Sequence, residues 1–159
     1  MQPDTLPPLG NTLDFMRLLW SLAHGLQSRS KRMEADLGIT GPQRLVIRIL
    51  GRSPGASAGT LARAMCVHPS TLTGVLKRLE KQRLIERTRD QHDGRRALLI
   101  LSAKGKKLDA NKSGTIEGVV RRCLETLPAS QVHAASALLR TLAEYLDPEP
   151  PRKPRRVVP

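Results

Sequence analysis

The most constraining feature of this chain is residues 57–102, where two short helical patterns and a basic hairpin follow one another with almost no linker. The second pattern opens at His68-Pro69-Ser70-Thr71, and Pro69 suits a first helical position because its missing N–H would have no intrahelical acceptor there. Leu72, Val75, Leu76 and Leu79 then fall at i, i+3, i+4 and i+7, one apolar stripe of a 3.6-residue helix. The opposite face carries Ser70, Thr71, Thr73, Gly74, Lys77 and Arg78, hydroxyls and cations of the kind that meet phosphates and base edges. An ordinary solvated face would mix Glu with Lys. Next, Leu84 to Arg89 leads to the tip Asp90-Gln91-His92-Asp93-Gly94, whose Asp-Gly pair favours a tight reversal, and Arg95-Arg96 return into the aliphatic run 97–101. Helix, turn, helix and basic hairpin in that order describe a winged helix-turn-helix, so double-stranded DNA is the expected partner.

Charge agrees. The 159 residues hold 27 Lys and Arg against 14 Asp and Glu, a formal charge of +13 that attracts polyanions. A membrane partner is not expected, since no segment approaches the roughly 18 consecutive apolar residues of a spanning helix. Residues 1–8 lack the basic and apolar regions of a signal peptide, which reads as a cytoplasmic, nucleoid-associated protein. Cys66 and Cys123 form neither a disulfide framework nor a C-x-x-C motif, and no cofactor or metal is implied.

The flanking regions predict a mainly α chain with a small β-wing. Residues 1–10 read as a flexible N-terminus and 147–159 as a disordered Pro-rich basic tail, leaving one domain over 11–146. A long helix is expected over 11–37, and its apolar residues from Leu13 to Leu26 cover nearly the whole circumference. A helix apolar all round is buried on more than one side, and in a chain this short the second side belongs to another subunit. A second helix is expected to about Arg52, with Leu45, Val46, Ile49 and Leu50 inward, and a third over 59–65. Ser102 is a plausible N-cap for a helix whose apolar spacing runs through Leu108, Ile116, Val119, Cys123 and Leu127, and a last helix is expected over 130–146. Gly105, Gly114 and Gly118 weaken the first of these; close helix packing or simple tolerance accounts for Gly114 and Gly118 equally well. The winged helix thus occupies 40–102, with dimerisation helices at 11–37 and 103–146.

Several stretches resemble the MarR family of bacterial transcriptional regulators across residues 11–146. They are Ile39-Thr40-Gly41-Pro42-Gln43, Leu61-Ala62-Arg63, Pro69-Ser70-Thr71-Leu72-Thr73, Leu79 to Arg87, and Leu101-Ser102-Ala103-Lys104-Gly105. Asp90 to Arg95 follows the spacing of the family's D-x-R-D-x-R wing motif, with His92 where Arg is usual, and Cys66 stands in the turn where the family often has Gly. The resemblance implies a homodimer that reads a palindromic operator through two winged helices. It places Ser70, Thr71 and Thr73 in the major groove and Arg95 in the minor groove, oriented by Asp93, with Arg87 and Arg96 at phosphates. It also implies a small-molecule effector, an anionic aromatic or lipophilic ligand that Trp20, His24 and Arg48 would receive near the first and second helices if they converge.

Other readings compete with these. No phosphate loop, metal-ligand cluster or nucleophile elbow supports an enzyme. An RNA-binding module would need an aromatic platform, and the only aromatics are Phe15, Trp20 and Tyr145, all within helical patterns. A nucleoid-architectural, low-specificity DNA binder is the main alternative. Cys66 reads as a small core filler in preference to a redox sensor, because reactivity needs an exposed thiolate and the family's peroxide sensors carry their thiol in the first helix. His24 reads more simply as a satisfied core histidine than as a ligand contact.

Overall fold

The computed structural model describes residues 9–89 and 97–146. Its elements are α1 (Asn11–Leu37), α2 (Gly41–Arg52), β1 (Ala56–Ser57), α3 (Ala58–Ala64), α4 (Pro69–Lys81), β2 (Ile85–Arg89), β3 (Ala97–Leu101), α5 (Ala103–Ala110), α6 (Ile116–Leu124) and α7 (Ala129–Leu146). The fold is mainly helical with a small antiparallel sheet, as the sequence predicts. Two compact units meet at Gly118 and Val119, and each is described by itself.

The first unit holds the core. Leu72, Leu76 and Leu79 of α4 meet Leu61 and Ala62 of α3, Val46, Ile47 and Leu50 of α2, and Leu99 and Leu101 of β3. The stripe on α4 is the one its spacing requires. On α2 the face is rotated: Gln43, Val46, Ile47 and Leu50 are buried, while Leu45, expected inward, is exposed. Positions 43, 46, 47 and 50 share one helical face, and Leu45 projects away from it.

β2 and β3 pair from Ile85↔Leu101 to Arg89↔Ala97, which confirms both wing strands. The sequence did not reveal β1, whose Ala56 and Ser57 pair with Leu99 and Leu98 and make β3 the central strand. Two residues are too few to carry a periodic signal. Ser102 caps α5 as expected, its Oγ accepting from the Gly105 N–H at 3.0 Å while donating to the Arg83 carbonyl at 2.8 Å. Gly105 is required there for a reason beyond helix tolerance. A Cβ on it would collide with the Leu84 carbonyl oxygen, so α5 lies against the β2 entrance at a distance only Gly allows.

The predicted continuous helix beyond Ser102 is broken. α5 ends at Ala110 and α6 begins at Ile116, with Gly114 between them at φ +70°, a left-handed conformation that favours glycine. Gly114 therefore serves a turn and not helix packing. Asn111 Oδ1 accepts from the Ser113 N–H at 3.0 Å, and buried Thr115 accepts from the Gly118 N–H at 3.3 Å as the cap of α6. Local side-chain bonds to the backbone win over the apolar spacing that runs across the break.

Arg44 locks this corner. It is 2% exposed, and it donates to Glu117 Oε1 at 2.8 and 2.6 Å, to the Leu108 carbonyl at 2.5 Å and to the Asn111 carbonyl at 2.6 Å. The guanidinium thus adds a second donor to the Leu108 carbonyl, which already accepts from the Asn111 N–H at 3.2 Å, and satisfies the carbonyl of Asn111, the C-cap of α5. Arg48 lies one turn further along α2, pairing with Asp109 at 2.5 Å and approaching Glu117 at 3.6 Å. Burial pushes the Glu117 carboxyl up, but the Arg44 hydrogen bonds, a backbone bond and the charges of Arg44 and Arg48 hold it below the ordinary carboxylate range.

Large apolar side chains are exposed on both α1 and α7. On α1, Leu13, Met16, Leu18, Leu22 and Leu26 are exposed, and of its residues only Met33 is buried. α7 has no buried residue, with Leu138, Leu139 and Leu146 all exposed. Among the described residues, no helix is long and apolar enough to cross a membrane.

Candidate nucleic-acid interface

α4 starts where Pro69 permits it to start, and the N-cap is His68, whose Nδ1 accepts from the Ser70 N–H at 3.3 Å and lies 2.7 Å from Ser70 Oγ. The N-cap role of His68 is not apparent from residue type, since histidine is not among the favoured capping residues. The signal available was its place directly before a proline at the first helical position.

With Leu72, Leu76 and Leu79 buried, geometry turns Ser70, Thr71, Thr73, Gly74, Lys77 and Arg78 outward together, and all six are exposed. The predicted polar face is therefore a single surface. Thr73 donates its hydroxyl proton to the Pro69 carbonyl at 2.9 Å, which leaves the oxygen lone pairs and the methyl group for a partner. An exposed threonine methyl suits a thymine methyl, and the hydroxyl oxygen suits a base amino group. Nothing fills the space beside Gly74, so a surface can approach the helix closely at that point.

Before α4, the chain turns at Cys66 with φ +53°, a left-handed conformation that glycine adopts more easily. Cys66 is exposed, which overturns its reading as a core filler; the reversal from α3 to α4 lies on the surface and its side chain points away from the core. Its thiol rests 3.7 Å from the Arg63 carbonyl.

On the wing, Arg87 is half exposed and pairs with Glu80 of α4 at 2.5 Å. That pair fastens β2 to α4, so Arg87 meets a phosphate only by sharing or leaving Glu80. His92, Asp93, Arg95 and Arg96 lie outside the described residues, as does the basic tail 147–159.

Of the residues expected to receive an effector, Trp20 and His24 stand on α1 and Arg48 on α2. Trp20 is 70% exposed on α1, and Arg48 is committed to Asp109 and Glu117. His24 is exposed, 3.5 Å from Ser28 Oγ, and is not the core histidine its sequence context favours. The misreading has a simple cause: in a helix apolar all round, sequence alone cannot separate burial within a chain from burial against another one.

A core-facing stripe, an outward face of hydroxyls and cations, and a hairpin that follows at once define a winged-helix DNA-binding protein. A family model for the MarR family matches residues 39–97. The organic hydroperoxide resistance transcriptional regulator of Bacillus subtilis is 31% identical over 137 residues, covering 84% of this chain and 91% of that protein. The HTH-type transcriptional regulator FarR of Neisseria gonorrhoeae is 39% identical over 109 residues, covering 69% and 75%. A crystal structure of a MepR-like protein complexed with pseudoligands is similar at a TM-score of 0.68 with 26% identity, covering 84% of this chain and 94% of that one. The chain belongs to the MarR family and is a DNA-binding transcriptional regulator.

Proposed function

We propose that this protein represses transcription by binding a palindromic operator in double-stranded DNA as a homodimer. The observation that carries this reading is the outward face of α4, where Ser70, Thr71, Thr73, Lys77 and Arg78 stand exposed opposite a fully buried leucine stripe. The three hydroxyl residues read bases in the major groove. Lys77, Arg78, Arg87 and Arg96 contact phosphates, while Arg95, oriented by Asp93, enters the minor groove, with His92 standing where the family's wing motif has a further Arg. The exposed leucines of α1, and separately those of α7, support the dimer, since a helix that leaves several large apolar side chains exposed offers them to a partner. Dimer symmetry sets two half-sites about one helical turn apart, roughly 34–36 Å. A small anionic aromatic effector that prefers the DNA-incompetent dimer, received by Trp20 and His24 with Arg48 exchanging a carboxylate partner, would release the operator.

Selection from a randomised duplex library, followed by titration of the selected site at two salt concentrations, tests the reading. A two-fold symmetric motif is expected. Thr73→Ala should relax preference at particular positions, and Arg95→Ala should weaken all duplexes by about 1–3 kcal/mol with a shallower salt slope. Binding without any enriched motif would instead favour the architectural, low-specificity alternative. A mass of 17.5 kDa at micromolar concentration would refute the dimer.

A further inference from the structure

We infer that the cavity between the end of α1, the end of α4 and α5 is a binding site for a small aliphatic carboxylate, separate from both the DNA face and the Trp20–His24 surface. The cavity measures about 420 Å³, within the range that holds a small ligand. Its apolar lining is Leu37, Ile39, Leu84 and Leu108, entirely aliphatic, which suits a flexible alkyl chain. Lys104 and Lys107 also line it and are exposed. They stand at i and i+3 on α5, so both project from the same face of the helix.

No acidic side chain lines the cavity. Among the described residues Lys107 forms no ion pair, and Lys104 donates to the Gln82 carbonyl at 3.2 Å and pairs with no carboxylate. A carboxylate can therefore bridge the two ammonium groups without displacing a protein anion. Two polar side chains complete the wall, Gln82 and Asn111, and Asn111 Oδ1 already accepts from the Ser113 N–H. Gln82 donates to the Gly38 carbonyl at 2.9 Å and accepts from Gln43 at 3.1 Å, so its amide holds the wall in place. Charge also excludes the chain's own tail as occupant, since Arg152, Lys153, Arg155 and Arg156 have the same sign as the lysines. An inorganic anion would leave the aliphatic lining unfilled, and an alcohol would leave the lysines unpaired.

Isothermal titration of the full-length protein with octanoate tests the site, with octanol and acetate as probes of the chain and the headgroup alone. Saturable binding of one octanoate per chain is expected, at least tenfold tighter than either octanol or acetate. Lys104→Met with Lys107→Met should weaken octanoate at least tenfold. Lys106→Met, an exposed lysine of the same helix outside the lining, and Trp20→Ala should each leave it within twofold. Absence of saturable octanoate binding, octanol binding as tightly as octanoate, or an unchanged affinity in the double lysine variant would overturn the proposal. Loss of binding in Trp20→Ala with retention in the double lysine variant would likewise refute it and move the ligand to the α1 surface.

Discussion

Arg44→Met is the most demanding test of how this fold is held. The methionine keeps most of the apolar stem and removes every donor, so the Leu108 and Asn111 carbonyls and the Glu117 carboxylate lose their shared partner at once. A buried acceptor left dry costs about 1–3 kcal/mol, and breaking a buried ion pair by removing one partner costs about 3–5 kcal/mol. Both figures are discounted here. Glu117 is about one-third exposed and keeps Arg48 at 3.6 Å, the Leu108 carbonyl keeps the Asn111 N–H, and Asn111 is only partly buried, so the remaining partners and water recover part of the loss. The net expectation is a loss of about 2–4 kcal/mol. For a chain of this size that corresponds to a fall in Tm of roughly 5–15 °C, read by circular dichroism at one fixed protein concentration because a dimer's Tm depends on concentration. Arg44→Lys should recover little, since a single ammonium cannot reach acceptors spread across the guanidinium fork. A Tm within 2 °C of the parent for Arg44→Met would refute the argument and show that the α5–α6 corner holds without the clamp.

Glu117→Gln should change the acid limb of stability. Because the folded carboxyl titrates below the ordinary range, its contribution is fully present above about pH 4.3, the free glutamate value, and is lost as pH falls through the lower folded value. The stability gap between parent and variant should therefore be wide at pH 6 and narrow toward pH 3; a gap independent of pH would contradict the assignment. Gly105→Ala pits a helix-propensity gain of up to about 1 kcal/mol against collision with the Leu84 carbonyl, which forces backbone movement at about 1–3 kcal/mol. Net destabilisation is expected in urea titrations, and a stabilised variant would show that α5 can move away from β2 freely.

The sequence by itself determined the parts of this protein in which local pattern and global burial coincide. The α4 stripe, the capping role of Ser102 and the pairing of residues 85–89 with 97–101 were legible because helical period, cap chemistry and turn residues each act over a few positions. The outward face of α4 followed from the same period, since fixing the leucines inward fixes Ser70, Thr71 and Thr73 outward. Tertiary structure decided what depends on partners far along the chain. Nothing near Arg44 in the sequence marks it for burial, yet it is buried because acceptors 64 to 73 residues away converge on it. Gly105 looks like a weak helix residue, and only the nearby Leu84 carbonyl shows why no side chain fits there. Arg48, offered by sequence as a ligand contact, is occupied by Asp109 and Glu117 for the same reason. A charge carries no information in its own neighbourhood about which distant group will neutralise it, whereas an apolar stripe states its requirement in every turn.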